Sequence, residues 1–269
     1  MTTKDTRSGG RKRVLYVEEG VAFGGSILSL ADMIKGFEEL GGGERPVDSF
    51  VFTYLTDEVI GGLFPFSEVL QHEPILTYRT RNAFAHGVGK RFSSGMVASG
   101  LMKLYSAADA LHNHHLSRTI HRIIRSRGIG LVHLNNGFQG YAMRAALRAG
   151  VPCVLHLRGL RGGPAAPITA VLGGRALDLV HRFIGVSDAV AAEFRSMGVP
   201  EEKILALHDP ISIREFSLMG RERKAVRDEF SIPEGSIVVS VFGGVTGWKG
   251  QWEGLEAAAP VVAQLEALW

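Results

Sequence analysis

The chain has 269 residues, of which 45% are hydrophobic and 21% charged, a composition typical of a folded globular protein with a substantial core. Its single cysteine, Cys153, excludes an internal disulfide framework and a four-thiolate zinc site, and favours a reducing compartment. The formal net charge is only +3, yet residues 76–175 contain 14 lysines and arginines and one acid, Asp109. This uneven charge predicts an anionic partner such as phosphate, anionic lipid or nucleic acid.

The beginning of the chain is polar and basic. We interpret residues 1–12 as a disordered tail, because no hydrophobic segment follows that would make them a secretory signal. No apolar run in the whole sequence approaches the roughly 20 residues that a membrane-spanning helix needs.

The first half of the chain begins with a short apolar strand and a glycine turn. Ser26, at the end of that turn, is a candidate N-cap for the helix that follows. The predicted elements in chain order are a strand at 13–17, a turn at 24–26, a helix at 27–37, a strand at 47–55, a short helix and a weak strand within 57–75, an irregular loop at 77–95, and a long helix at 96–127 with a break near Ala107.

The second half alternates regularly between apolar strands and helices. The strands are predicted at 130–134, 151–157, 183–186 and 204–207, and the helices at 138–149, 168–181 and 188–197. Nearly all-apolar strands alternating with helices indicate a parallel sheet covered on both faces. We therefore predict an α/β fold, a Rossmann-like parallel sheet flanked by helices, over residues 13–208.

The last part of the chain resembles the opening of a second α/β domain. Residues 209–235 are charged and read as an interdomain connector with a helix at 221–230. A predicted strand at 236–242, a glycine turn carrying Lys249 and a helix from Gln251 follow, so residues 236–269 form an incomplete second domain. We expect the strand either to dock on the first domain or to remain an exposed edge.

Ligands of parallel α/β sheets bind beyond the carboxyl ends of the strands, which selects the residues that follow each strand. These candidates are Gly24, Gly25, Ser26, Asn135, Asn136, His156, Arg158, Ser187 and His208. The glycine turn presents backbone amides at a helix N-terminus, where an anion is favoured. His156 could act as an acid, a base or a hydrogen-bond donor, and Arg158 could hold a negative group. Lys249 and Gly250 at the second helix would suit a diphosphate.

Structural roles remain open for the same residues. The glycine turn could be a tight turn without a ligand, and Asn135 and Asn136 could form an Asx-type turn. His156 could bond the backbone, Ser187 could cap a helix, and Lys249 could be a surface lysine. The tract at 112–115 contains three histidines but no carboxylate or thiolate, so we expect no metal. Dinucleotide-binding, Walker and nucleophile-elbow motifs do not occur in the sequence.

Four segments resemble the retaining glycosyltransferases of family 4, which have the GT-B fold. They are residues 14–17 with Gly24 and Gly25, residues 153–156, residues 183–204, and residues 239–250. The resemblance implies a hexosyltransferase type of enzyme that transfers a sugar from a nucleotide-diphospho-sugar with retained anomeric configuration. The first domain would hold the acceptor and the second the nucleotide, without a metal or a bound cofactor.

The resemblance also implies roles for individual residues. Gly24, Gly25, Ser26, Lys249 and Gly250 would bind the donor diphosphate. His156 and Arg158 would be catalytic, near the reacting sugar. Acceptor contacts are expected from Asn135, Asn136 and Ser187.

Three departures from the family pattern affect this expectation. The link at 208–212 is altered, and Gly244 occupies the place of a usual arginine. The two donor-binding glutamates of the family have no counterpart before the last residue, so we expect an incomplete chain that is inactive alone. The alternative is a non-catalytic acceptor-binding module that pairs with a separate donor-domain subunit.

The basic stretch and the family resemblance together suggest partners and a location. We expect a glycan or lipid-linked acceptor of polysaccharide biosynthesis, a cytoplasmic location, and peripheral contact with the anionic inner face of a membrane. A nucleic-acid partner is disfavoured, because the aromatic residues do not interleave with the basic ones in a recognition pattern. The sequence does not predict an oligomeric state.

Overall fold

A computed structural model describes residues 11–20, 24–40, 46–72, 96–160, 168, 176–211, 213, 223–243, 245 and 249–266. The structure divides into two compact units, Met1–Ile211 and Ser212–Trp269. The residue limits that the sequence suggests for the tail (1–12), the connector (209–235) and the second domain (236–269) stay predictions.

The first unit contains seven strands and six α-helices among its described residues. The strands are β1 (Lys12–Glu18), β2 (Val47–Thr53), β3 (Ser67–Gln71), β4 (Leu131–Asn135), β5 (Cys153–Leu157), β6 (Val180–Gly185) and β7 (Ile204–Ala206). The helices are α1 (Gly25–Leu40), α2 (Asp57–Ile60), α3 (Met96–Arg127), α4 (Gly140–Ala149), α5 (Ala176–Leu179) and α6 (Asp188–Ser196).

All seven strands form one parallel sheet in the order β3-β2-β1-β4-β5-β6-β7. The chain moves outward from β1 to β3, then crosses back through α3 to β4 and continues to the other edge. The order therefore reverses between β1 and β4, which is where ligands of such sheets bind. The predicted α/β fold with a parallel sheet is confirmed.

The sheet has a separate hydrophobic core on each face, as the all-apolar strands predicted. On one face, α1 packs Ile27, Leu30 and Ile34 against β1 and β2. On the other face, α3, α4 and α6 cover the sheet with buried aliphatic and aromatic side chains, among them Ile120 and Phe194.

Several details differ from the sequence-based expectations. α3 runs without a break through Ala107. Ser26 lies inside α1 rather than capping it, because the helix already begins at Gly25. His181 lies in β6 and not in a helix, because the preceding Val180 already pairs with Cys153 of β5. The loop predicted at 77–95 and half of the helix predicted at 168–181, residues 169–175, lie outside the described residues.

The second unit contains α7 (Arg223–Glu229) and α8 (Gln251–Glu266). The strand predicted at 236–242 is wrong: no strand is formed in the described residues of this unit. Ile237 and Phe242 are 91% and 92% exposed. A strand needs a neighbour to accept its backbone hydrogen bonds, and the carbonyl of Ser236 bonds instead to the guanidinium of Arg227 (2.8 Å).

Gly185, at the end of β6, allows the start of α6 to approach the sheet closely. A Cβ at this position would lie 2.7 Å from the backbone nitrogen of Ala191 and 3.0 Å from the carbonyl carbon of Val190. Both are backbone atoms of α6, so they cannot move aside without shifting the helix.

We predict that Gly185→Ala lowers the free energy of unfolding by about 1–3 kcal/mol, because it forces α6 away from β6. Gly130→Ala is the matched control, since its Cβ would make only an ordinary 3.7 Å contact with the Arg13 carbonyl. The control should stay within about 1 kcal/mol of the parent chain. Urea unfolding measures both variants, and equal stabilities would contradict the close approach.

Candidate active site

Three polar side chains lie next to one another at the carboxyl edge of the sheet. Glu18, Asn135 and His156 occupy the ends of β1, β4 and β5, and the strand register pairs Glu18 with Asn135 and Asn135 with His156. All three are buried, with His156 only 1% exposed. The edge lies at the reversal of strand order, so the fold itself brings these residues together.

Asn135 is the centre of a buried hydrogen-bond network. Its side-chain nitrogen donates to the Glu18 carboxylate and to the backbone oxygen of Ser26 (3.2 Å), while its side-chain oxygen accepts from Arg158 Nε (2.8 Å). The Gln139 side chain donates to the backbone oxygen of Asn135 (3.0 Å). Asn135 therefore joins β1, the first turn of α1 and the segment after β5.

The contact of Asn135 with the acceptor stays a prediction. Its side chain is fully buried, and both its amide nitrogen and its amide oxygen already have partners within the protein. These bonds tie the Asn135 side chain to Glu18, Ser26 and Arg158.

Arg158 is a nearly buried cation, with 4% of its side chain exposed. One terminal nitrogen forms an ion pair with Asp209, which follows β7, and Nε bonds to Asn135. The other terminal nitrogen, Nη2, is buried and has no hydrogen-bond partner in the described part of the chain. A buried N–H without a partner is costly, so this group can bind an acceptor atom of a ligand.

Asn136 forms the turn that follows β4. Its φ of 57° lies in the left-handed region, which asparagine tolerates better than most residues. Its backbone N–H donates to the His156 carbonyl (2.7 Å). Its side-chain oxygen accepts from the backbone N–H of Arg158 (3.3 Å). The Asn136 side chain thus bonds to the segment after β5 and not to the backbone two residues further on, so this bond is not that of an Asx turn; the residue is exposed at the edge of the site.

The glycine turn before α1 lies at the same edge. Gly24 accepts a weak hydrogen bond from Leu28 (3.4 Å), and the neighbouring Ser26 carbonyl is held by Asn135. Among the described residues, apart from the chain neighbours of Gly25 and the backbone of its own helix, no atom lies within 4 Å of the position that a Cβ on Gly25 would occupy. The N-terminus of this 16-residue helix offers backbone amides and a favourable dipole to an anion.

His156 has a close histidine neighbour, His133. Their rings lie 5.5 Å apart, and His133 also contacts Tyr16 at 5.3 Å. Burial lowers the pKa of His133 to about 3, helped by the charges of His156 and Arg158. Burial also lowers the pKa of His156 to about 4, with a further lowering by Arg158 that Asp209 opposes. Both imidazoles are therefore neutral at neutral pH.

The neutral ring of His156 is available for bonding. Neither of its ring nitrogens has a hydrogen-bond partner among the residues that the structure describes. A neutral imidazole has one donor and one acceptor nitrogen, so it can donate to one ligand hydroxyl and accept from another.

Burial has the opposite effect on the carboxyl group of Glu18. It raises the pKa, while the hydrogen bonds from Asn135 and Gly20 and the charge of Arg158 oppose the increase.

Sequence reasoning missed Glu18, His133 and Asp209. The positions of Glu18 at the end of β1 and of Asp209 shortly after β7 were the only signals that could have selected them.

A second group of polar and aromatic side chains follows β2 and β3 at the same edge. The Tyr54 and Tyr141 hydroxyls lie 3.3 Å apart, and burial raises the pKa of Tyr141, with a further increase from Glu19. The His72 ring stacks at 6.1 Å from His115. These residues come from four separate elements, so no local pattern in the sequence could have predicted their association.

Ser187 caps α6, as the sequence allowed. Its side-chain oxygen accepts a hydrogen bond from the backbone N–H of Val190 (3.3 Å), and its backbone is extended. The cap anchors the helix directly after β6 and places Ser187 at the carboxyl edge of the sheet.

Lys249 and Gly250 lie in the second unit, immediately before α8. Gly243 and Gly250 adopt positive φ values of 148° and 77°, which favour glycine. The aliphatic part of the Lys249 side chain passes near Gly243. Its Cδ atom lies 3.8 Å from the position that a Cβ on Gly243 would occupy. The two glycines therefore bring an exposed lysine to the start of a helix.

The described residues contain no group of three or more histidine, cysteine, aspartate or glutamate side chains arranged to hold a metal ion. Of the histidine tract, His112 is buried whereas His114 and His115 are exposed.

Cys153 is buried, and burial raises the pKa of its thiol to about 12. Within the described ranges, no helix has both the length and the apolar character to cross a bilayer.

The model of the glycosyl transferase 4-like domain matches residues 75–209, half of the chain. The chain therefore belongs to this family of glycosyltransferases. The matched region contains Asn135, His156, Arg158, Ser187 and Asp209.

Solved structures share the fold at low sequence identity. Alr3699/HepE from Anabaena, in complex with UDP and glucose, matches with a TM-score of 0.60 and 17% identity, over 93% of this chain and 58% of that one. A glycosyltransferase from Rickettsia africae matches with a TM-score of 0.62 and 12% identity, over 93% and 57%. The chain thus spans somewhat more than half the length of these GT-B structures. No protein of curated function matches the sequence significantly.

We predict that acid weakens the fold through the buried histidines. The pKa of His133 is about 3 in the folded chain and near 6.5 when unfolded, so the unfolded state takes up the proton first as the pH falls. Between pH 7 and pH 5 the parent chain should lose roughly 2 kcal/mol more unfolding free energy than His133→Leu. Urea unfolding at both pH values measures the difference. The control His181→Leu, at an exposed position, should lose as much unfolding free energy as the parent chain. An identical pH dependence of the unfolding free energy in all three proteins would contradict a neutral His133.

Proposed function

We propose that the chain forms the acceptor side and the start of the donor side of a retaining glycosyltransferase. It would transfer a hexose from a nucleotide-diphospho-sugar to a glycan or lipid-linked acceptor in the cytoplasm. The observation that carries this proposal is the buried network that joins the glycine turn of α1 to the end of β5. Family membership supports the transferase class, and the UDP and glucose bound by Alr3699/HepE support a nucleotide-sugar donor.

The glycine turn would stabilise the departing diphosphate. Gly24, Gly25 and Ser26 lie at a helix N-terminus at the sheet edge. Negative charge grows on the diphosphate as the glycosidic bond to it breaks, and fixed amide dipoles lower the energy of that charge. Lys249 and Gly250, in the second unit, would bind the diphosphate of the donor through a cation and a helix N-terminus.

His156 would contact the reacting sugar as a neutral hydrogen-bonding group. Its lowered pKa keeps it from carrying a positive charge at neutral pH, so its contribution would be orientation of sugar hydroxyls. Arg158 would offer Nη2 to the same region, with its other nitrogens held by Asp209 and Asn135. The arginine is thus fixed in orientation before a ligand arrives.

The acceptor would bind along the neighbouring strand ends. Asn136 and Ser187 lie at the edge of the sheet, and Tyr54, Tyr141 and His72 add hydroxyl and ring groups after β2 and β3. Aromatic faces beside hydroxyl donors suit a sugar, which presents both C–H surfaces and hydroxyl groups.

The proposal is tested with the longest natural form of the gene product and a panel of nucleotide sugars. We expect release of the nucleoside diphosphate coupled to a new glycosidic bond, with the anomeric configuration of the donor kept in the product as seen by proton NMR. An inverted product would contradict the retaining mechanism. Failure to bind or turn over any nucleotide sugar would favour the alternative of a non-catalytic acceptor-binding module.

We predict that His156→Ala and Lys249→Ala each lower kcat/KM by about 100-fold or more, because each removes a group that would bind the sugar or the diphosphate in the transition state. The exposed His181→Ala and Lys35→Ala are the matched controls, and they should retain the parent rate. Equal rates for the His156 variant and its control would remove His156 from the site.

A further inference from the structure

The outward side of α3 combines exposed leucines with arginines. Leu104 and Leu111 lie one heptad apart and are 70% and 72% exposed. Arg118, Arg122 and Arg125 continue the same side of the helix towards its C-terminus and are all exposed. At 100° per residue, these five positions lie within about 60° of one another.

The opposite side of α3 faces the core. Leu116, Ile120 and Ile124 are buried against the sheet, so the orientation of the helix is fixed by packing. The leucines and arginines therefore form one continuous ridge that points away from the sheet. From Leu104 to Arg125 this ridge is about 32 Å long, from the 1.5 Å rise per residue.

Helix α4 extends the basic character of this surface. Arg144 and Arg148 are exposed one turn apart, and with His114 and Ser117 of α3 they line a groove of about 490 Å³ between the two helices. The Ser117 hydroxyl is buried and lacks a hydrogen-bond partner within the described ranges. The groove thus presents two guanidinium groups and a buried hydroxyl, a combination that suits a phosphate.

Negative charge is nearly absent from these two helices. Their one acid, Asp109, also lines the groove and accepts a hydrogen bond from Asn113 (2.9 Å). Arg127 belongs to a different contact, because it pairs with Glu68 of β3. The remaining basic side chains of α3 and α4 therefore produce a field that attracts anions.

We propose that the ridge of α3, with the adjoining α3–α4 groove, docks the protein on an anionic phospholipid surface. The arginines would attract the lipid phosphates, the groove would receive a headgroup phosphate, and Leu104 and Leu111 would enter the interface between headgroups and acyl chains. An interfacial helix of this kind has a basic face with apolar anchors and low overall hydrophobicity. The leucines favour a membrane over a nucleic acid, which would leave them in water.

Docking on lipid is independent of sugar transfer, so its test does not depend on the proposed reaction. Sedimentation with vesicles of phosphatidylglycerol and phosphatidylcholine, compared with phosphatidylcholine alone, measures binding. We expect strong preference for the anionic vesicles and weaker binding as salt is added. Equal binding to both vesicle types, or binding to neither, would overturn the proposal.

Matched variants locate the surface. The triple variant Arg118→Gln, Arg122→Gln and Arg125→Gln should bind anionic vesicles on the order of 100-fold more weakly. The control triple Lys12→Gln, Lys35→Gln and Arg182→Gln removes the same charge from exposed positions elsewhere in the first unit, and should bind nearly as the parent does. If both triple variants lose the same amount of vesicle binding, only the net charge of the protein matters for binding. The assignment of this surface would then be wrong.

A labelling experiment tests the insertion of the leucines. Leu111→Cys can carry an environment-sensitive dye, because Cys153 is buried and its thiol has a raised pKa. On anionic vesicles the dye emission should shift to the blue and be quenched by brominated acyl chains. If the protein binds the vesicles but the dye emission does not shift, the leucines do not insert and lipid docking is contradicted. Tight binding to duplex RNA without any binding to vesicles would contradict it as well.

Discussion

The candidate site depends on one buried amide, the side chain of Asn135. It touches the Glu18 carboxylate, the Ser26 carbonyl and the Arg158 guanidinium, which come from three separate parts of the chain. Burial of charged groups is costly unless each has a partner, and the ion pair of Arg158 with Asp209 completes the compensation. Loss of any one partner would leave another buried polar group unpaired, and the network joins the glycine turn of α1 to the end of β5.

The same network sets the electrostatic character of the site. The cation of Arg158 lies close enough to lower the pKa of His156 and His133, in addition to the larger effect of burial. The result is a neutral pair of imidazoles beside one oriented guanidinium. Such a site can orient the hydroxyl groups of a sugar and attract a phosphate without placing a second buried positive charge there.

Much of the fold follows from pattern alone. The apolar strands alternating with helices predict a parallel sheet, and the topology rule then collects Gly25, Asn135 and His156 at one edge. Individual polar partners are harder to predict. Glu18 and Asp209 are single residues beyond strand ends, and nothing local distinguishes a carboxylate that meets Arg158 in space from one that faces solvent.

The errors of the sequence interpretation have physical causes as well. Residues 236–242 have strand propensity, but propensity is expressed only where a neighbouring strand supplies hydrogen bonds. The sequence predicts a helix that ends at His181, yet the pairing of β6 with β5 already begins at Val180 and places His181 in a strand. Ser26 is a good capping residue by type, but the permissive backbone of Gly25 lets the helix begin one residue earlier.

The most direct test of the central network observes the Arg158 side chain itself. In ¹⁵N-labelled protein, its Nε–H is donated to buried Asn135 and should appear as a separate resonance that exchanges slowly with water at neutral pH, with a contact to the Asn135 side chain. Arg158→Lys assigns the signal by removing it. A resonance merged with those of exposed arginines and exchanging as fast as they do would show that the network does not hold the site together.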